Sequence, residues 1–362
     1  MFFQSLEGAA RSAFLGALNR VRPLEGAHPL PDWRSGPYRV LFLRDDRVGD
    51  MIASLEVMRA IAESSPTIRL DVLASPHNES LARGHAWIAE VLVNEHGSVL
   101  GSAPTRRLMA RRHYDVVIDG RVFVGSVNVQ RTLMLRSTRA RWRIGLAGRK
   151  HGEIYNVPVQ VPDLPHWIDY LVALAGPFGV APDSRDWRPR LHVAGAARAE
   201  AEDRWGPHPQ GVQRVLVNIS AGHRNRRWPD DRWAALLHSL RERLPRASIA
   251  LLAMHPDRPS AERLAAAVRA SAFTLSLEDS IATVATADLV ITPDTAISHI
   301  ASAFERTTLT LLRKGFERLV PYRTPGRNVF ADDARTLDSL PAERAVAALD
   351  EVLEPARATS RA

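Results

Sequence analysis

The 362-residue chain contains no cysteine. That excludes disulfides, a thiolate nucleophile and a zinc–thiolate site, and it fits a reducing compartment. Lysine is nearly missing too: only Lys150 and Lys314 occur, so almost all positive charge is arginine. Arginine offers a planar fork suited to phosphate and carboxylate, although a GC-rich gene produces the same bias. No apolar run approaches the roughly 20 residues that span a bilayer. There is no short repeat or low-complexity tract.

What remains is ordinary for a globular protein, with 45% hydrophobic and 24% charged residues. The length predicts two domains of about 150–200 residues each. The net charge of +8 is not spread evenly, because Arg106–Lys150 carries twelve Lys/Arg against only Asp115 and Asp119. A local excess of this kind points to a specific anionic partner or surface. Nucleic acid is disfavoured as that partner, since Tyr114, Phe123 and Trp142 are too widely spaced to form a stacking platform.

Residues 1–37 stand apart. Phe3, Leu6, Ala10, Ala13, Phe14, Ala17, Leu18 and Val21 recur at helical spacing beside Arg11, Arg20 and Arg22, which predicts one amphipathic helix. Glu7 and the missing basic leader argue against a secretory signal. The helix has two destinations, an anionic membrane surface or the protein's own body. Prolines at 23, 29, 31 and 37 then mark a linker.

From residue 38 to about 180, apolar strands at Arg39–Leu43, Ile68–Leu73, Val91–Val93 and Asp115–Ile118 alternate with helical segments. Ile144–Val161 reads as irregular strand and loop. A Pro- and Gly-punctuated region, Gly179–Pro189, marks the boundary. A second series over 190–340 has strands at Val215–Ile219, Ser248–Leu252, Ala287–Ile291 and Thr307–Leu312, and 341–362 forms a last helix and tail. Such alternation predicts α/β architecture, two doubly wound Rossmann-like domains facing a central cleft, with ligands at the C-terminal ends of the strands.

Three strand-to-helix loops carry chemistry. The first, Arg44-Asp45-Asp46-Arg47-Val48-Gly49, leads to Asp50 at a helix start. Asp50 reads equally as a plain N-terminal charge or as a carboxylate usable as a general base. Asp45 and Asp46 are rivals, with Arg44 and Arg47 as their available partners, and Gly49 allows a tight turn. The second loop runs from Asn218 to Pro229, where Ser220 and Gly222 are small and Arg224, Arg226 and Arg227 could grip phosphate. The third passes from a strand through Thr292-Pro293-Asp294-Thr295 into a helix carrying Ala296, Ile297 and His299. Asp294 or Thr295 can cap that helix, and its free N–H groups suit a diphosphate.

Taken in order, Arg39-Val-Leu-Phe-Leu…Gly49-Asp50, Arg226-Arg227-Trp228-Pro229…Trp233 and Asp294-Thr295-Ala296…Ser298-His299-Ile300-Ala301-Ser302-Ala303 resemble the bacterial ADP-heptose:lipopolysaccharide heptosyltransferases, glycosyltransferase family 9. The resemblance covers roughly Arg39–Leu349. It implies the GT-B fold and an inverting transfer that uses neither metal nor cofactor. It places Asp50 at the family's catalytic aspartate. Arg226 falls where a donor-phosphate lysine is usual, and Asp294–His299 falls on the diphosphate-binding helix start. Ser220, Arg224 and Asp257 complete the expected donor contacts, with Met254, His255 and Glu262 as further candidates for the nucleoside. Arg47, Arg121, Arg141 and Arg143 are the expected contacts to a phosphorylated glycolipid acceptor. Ala296 departs from the family's glycine, which is harmless if the residue is helical and costly at positive φ.

The reading is therefore a heptosyltransferase acting on a lipopolysaccharide inner core. It would be cytoplasmic, with peripheral contact to the inner face of the bacterial inner membrane left open. Two alternatives remain: a relative using another nucleotide sugar for a different envelope glycan, and a non-catalytic nucleotide-sugar binder that needs no Asp50.

Overall fold

The computed structural model describes Ala17, Gly26 and residues 28–122, 129–148, 154–206 and 212–359. Apart from Ala17, the amphipathic helix expected at the N-terminus lies outside the described residues, as do Arg149 and Lys150. The chain divides into two compact units, Met1–Trp187 and Arg188–Ala362.

In the first unit the order is β1 (Tyr38–Leu43), α1 (Val48–Glu63), β2 (Ile68–Ala74), α2 (Glu79–Ala82), β3 (Glu90–Val93), α3 (Ala103–Arg111), β4 (Val116–Asp119), α4 (Val129–Ser137), β5 (Trp142–Leu146), β6 (Val157–Val159) and α5 (Trp167–Ala173). The strands form one sheet in the order β3-β2-β1-β4-β5-β6, parallel throughout. A parallel sheet covered on both faces needs strands that are apolar on both sides. Accordingly the last four residues of β1 and all of β4 are buried. Leu41, Leu43, Leu73 and Val117 meet Met134 and Leu135 of α4 in one core.

The second unit runs α6 (Gly195–Arg204), β7 (Arg214–Asn218), α7 (Asp230–Arg243), β8 (Ser248–Leu252), α8 (Arg258–Ala267), β9 (Ser271–Phe273), α9 (Leu277–Ala285), β10 (Leu289–Pro293), α10 (Ala296–Ala303), β11 (Thr307–Leu312), β12 (Gly326–Phe330) and α11 (Ala342–Thr359). Its parallel sheet is ordered β9-β8-β7-β10-β11-β12. Val215, Val217, Ile291 and Leu309 pack with Leu236 and Leu240 of α7 and Leu349 and Leu353 of α11.

Both sheets thus share one topology, in which the chain winds outward in both directions from a central pair. That pair is β1/β4 in the first unit and β7/β10 in the second. The loops leaving such a pair at its C-terminal end diverge and open a crevice at the switch point. No described helix is long and apolar enough to cross a membrane.

Several local expectations change. β9 and β12 are strands the sequence pattern did not reveal, and the described residues of 144–161 include the end of β5 and the whole of β6. Gly49 is the second residue of α1 and has no positive φ, so a tight turn is not what it supplies. It is buried within the helix instead.

Candidate functional site

At the first switch point the hub is Arg44, the residue after β1, which is only 1% exposed. Its Nε donates to Asp50 O at 2.9 Å and its Nη1 to Gly120 O at 2.6 Å, joining the loops that leave β1 and β4. The same guanidinium reaches Asp46 Oδ2 at 3.3 Å and Asp50 Oδ1 at 3.6 Å. Asp50 lies in the first turn of α1 with 32% of its side chain exposed. Its carboxylate faces Arg44 and is partly reached by solvent, an exposure that a general base can use.

Asp46 is held differently. Its Oδ1 is buried without a hydrogen-bond partner among the described residues. Burial pushes its carboxyl up to about 6, Arg44 pulls the other way, and the nearby Asp50 charge adds to the rise. Asp45 is spoken for: its Oδ1 pairs with Arg131 Nη2 at 2.6 Å, and its Oδ2 accepts from Asn94 Nδ2 at 2.7 Å.

Beneath this loop Asp119, the fully buried last residue of β4, accepts from Arg121 Nη2 at 2.8 Å and Tyr155 Oη at 2.7 Å. Burial alone would raise its pKa, but Arg131 and Arg121 outweigh that and hold the carboxyl well below the usual range. Three arginines, Arg44, Arg121 and Arg131, therefore face four aspartates. The cluster is one positive charge short, which favours a proton on its least compensated member, Asp46.

At the second switch point Asn218 ends β7 and ties two loops together. Its Nδ2 donates to Thr292 Oγ1 at 2.9 Å, Thr295 Oγ1 at 3.1 Å and Ser220 O at 3.1 Å. Thr295, not Asp294, caps α10, accepting from Ile297 N at 3.3 Å. Arg226 reaches the same helix start: its Nη1 donates to Asp294 O at 2.9 Å and lies 3.6 Å from Asp294 Oδ2, with both side chains only 13% exposed. A cationic fork and the free N–H groups of a helix start thus occupy one place, the usual physical recipe for holding an anion. His299 is one turn inside and 7% exposed.

Two buried tryptophans explain how the loop reaches there. Trp228 and Trp233 meet edge-on at 4.9 Å, and Trp228 Nε1 donates to Leu340 O at 2.9 Å just before α11. Ser220 Oγ donates to Asp257 Oδ2 at 2.6 Å and accepts from Met254 N at 2.8 Å, so the loop after β8 is joined to the loop after β7. Arg227 Nη1 pairs with the same Asp257 at 3.0 Å. Arg224 is exposed and has no polar partner among the described residues. Ala296 is the first residue of α10 and is absent from the positive-φ residues, so alanine is harmless there.

The expected donor contacts Ser220, Arg226, Asp257, Asp294, Thr295, Ala296, Ile297 and His299 therefore gather on loops of one sheet edge, with Arg224 at their margin. The expected acceptor contacts do not gather. Arg47 is exposed just before α1, and its guanidinium has no polar partner among the described residues. Arg141 is exposed, with its guanidinium 5.0 Å from the Trp142 ring. Arg121 is committed to Asp119. Arg143 is a correction: it is 4% exposed and donates to Ile154 O and Ala140 O at 3.0 and 3.3 Å, so its guanidinium joins backbone carbonyls that lie before and after β5. Sequence reasoning missed the hub role of Arg44, and it gave Arg131, counted only in the basic patch, and Asn218, noted only as a loop start, no role of their own. The one signal for Asn218 is a polar residue closing an otherwise apolar strand.

Residues 104–329, more than half of the chain, match the model of glycosyltransferase family 9 (heptosyltransferase). The Gly49-Asp50 segment precedes that match. Among solved structures, the chain is similar to a glycosyl transferase family 9 protein from Veillonella parvula, with TM-score 0.72 and 14% identity over 90% of this chain and 99% of that one. E. coli ADP-heptose lps heptosyltransferase II gives TM-score 0.67 and 17% identity, covering 88% of this chain and 99% of that one. E. coli heptosyltransferase WaaC, solved with ADP, gives 0.64 and 19%, covering 87% and 99%. No curated protein sequence matches. The fold is GT-B, as the sequence led one to expect.

Proposed function

Because the chain belongs to glycosyltransferase family 9, the heptosyltransferase family, we propose that it transfers a heptose from ADP-heptose to the inner core of a lipopolysaccharide, with inversion and without a metal or cofactor. Asp50 takes the proton of the acceptor hydroxyl. The acceptor oxygen then bonds to the anomeric carbon on the face opposite the diphosphate. The bond from that carbon to the diphosphate oxygen breaks, and ADP departs with the electron pair. Negative charge growing on the departing phosphates is met by Arg226 and by the N–H groups at the start of α10, which takes the place of a cation.

One observation carries this reading: Arg226 is fastened to Asp294 O at the start of α10, so charge and helix dipole converge on one anion position. The part-exposed carboxylate of Asp50 at the other unit's switch point supports the base assignment. Met254, 42% exposed in the loop after β8, offers an apolar platform for a nucleobase.

Thermal shift with ADP, UDP, GDP and CMP tests the donor. Stabilisation by ADP alone is expected, and stabilisation by UDP or GDP instead would redirect the proposal to another nucleotide sugar. Asp50→Asn tests the base. Turnover should fall about 10²–10⁴-fold while the ADP-induced shift persists; wild-type turnover would end the assignment.

A further inference from the structure

Five large apolar side chains are strongly exposed among the described residues: Leu30, Val99, Leu100, Leu108 and Met254. Three of them, Val99, Leu100 and Leu108, belong to α3 and the turn before it, and Leu100 is 85% exposed. Scattered exposed leucines need no explanation, but a cluster does.

The turn is built, not slack. Gly101 N donates to Ser98 Oγ at 2.9 Å, and a Cβ on Gly101 would sit 2.5 Å from His96 Cβ. Arg106 Nη1 donates to Val99 O at 2.6 Å and also reaches Ser102 Oγ, closing the turn onto the helix. Leu100 is therefore held outward.

On α3 the buried side is Thr105 and Met109. The outward side is Pro104, Arg107, Leu108 and Arg111, all exposed and spaced i, i+3, i+4, i+7, which makes one stripe of a helix. Between Val99 and His113 there are four arginines and no acidic residue. Arg112 is taken by Glu90, and Arg106 closes the turn. Arg107 and Arg111 remain outward with no polar partner among the described residues. The flanking acidic residues along the chain are Glu95, ahead of the turn, and Asp115, whose carboxylate accepts from Arg39 N at 2.8 Å.

We propose that this face, the 99–101 turn with the Pro104–Arg111 stripe, is a contact surface for an anionic lipid bilayer. Apolar tips enter the headgroup boundary while arginines beside them meet lipid phosphates and lay their stems along the same plane. The surface also lies where such a contact is useful. Asn94, directly after β3, is bonded to Asp45, so the segment leaves the same sheet edge as the loop that carries Asp50. The use of that placement rests on the proposed glycolipid acceptor; the binding itself does not.

The full-length chain is floated with phosphatidylcholine vesicles with and without phosphatidylglycerol. Binding should require phosphatidylglycerol and weaken as salt rises. Leu100→Ser/Leu108→Ser should lower the partition coefficient about tenfold or more, and Arg107→Gln and Arg111→Gln about fivefold each. The leucine variant should keep wild-type turnover on a soluble, lipid-free acceptor. If wild type turns over no such acceptor yet binds vesicles, the proposed function fails and the surface stands. Unchanged vesicle binding by the leucine variant would overturn the proposal and move the contact elsewhere, for instance to residues 1–25. So would self-association of wild type that the leucine variant abolishes, since the face would then join two copies of this chain.

Discussion

Replacing Asp46 by asparagine should make the protein more stable at neutral pH, against the usual direction for removing a charge beside an arginine. The carboxyl sits at about 6 where an aspartate ordinarily sits at 3.8. The folded state therefore holds this proton more tightly than the unfolded chain. Below about 4 both states are protonated and the group costs nothing. As pH rises through the window from about 4 to 6 the unfolded chain ionises first, and folding stability falls. The full difference corresponds to about 3 kcal/mol above pH 6. Because 27% of the side chain meets solvent, we take about 1–2 kcal/mol. Arg44 does not become an orphan when Asp46 is neutral, since it keeps Asp50 O, Gly120 O and the Asp50 carboxylate. With about 2–4 °C per kcal/mol for a unit of this size, Asp46→Asn should raise Tm by about 2–8 °C at pH 8 and by nothing at pH 4. Calorimetry across that range reads both ends. A lower Tm at pH 8 would mean that the Arg44–Asp46 pair outweighs the burial cost. A gain independent of pH would mean that Asp46 does not titrate in this window.

Arg226→Met removes the cationic fork at the start of α10 and should cost about 2–3 kcal/mol in donor binding, with Arg226→Lys recovering part of it. Calorimetric titration with ADP checks this, and an unchanged affinity would show that the diphosphate sits elsewhere. Arg131→Met leaves Asp45 and Asp119 without their shared cation and should destabilise by about 3–5 kcal/mol at pH 7. The pKa of Asp119 is depressed, so what this cluster contributes is present above about 4 and lost on acidification. Urea unfolding should therefore show the deficit shrinking at low pH, and a loss under about 1 kcal/mol at pH 7 would refute the burial argument.

The central strands were legible because a doubly covered parallel sheet leaves its mark as uninterrupted apolar runs, as at Arg39–Leu43 and Leu289–Ile291. The outer strands were not. Ser271–Phe273 is too short to show a pattern, and Gly326-Arg-Asn-Val-Phe is half polar because it lies at the sheet edge. The second-unit loops could be read in sequence since each is a contiguous stretch. The carboxylate–arginine cluster could not, because Asp45, Asp119, Arg131 and Tyr155 come from four separate segments. Arg143 shows the limit of counting charge: composition registers a cation, but not whether backbone carbonyls have already claimed its guanidinium.

Trp228 has a consequence for how the chain can be handled. The ring that positions Arg226 hangs from Leu340 O, and Arg232 in α7 leans on the same carbonyl. The loop proposed to hold the donor phosphates is thus hitched to the stretch that launches the final helix, more than 100 residues downstream. Ending the chain at residue 329, where the family match ends, would cut that tether while sparing every residue proposed to contact the donor. A chain shortened in this way should lose ADP-induced thermal stabilisation even where its second sheet still folds, if the proposed donor site is right.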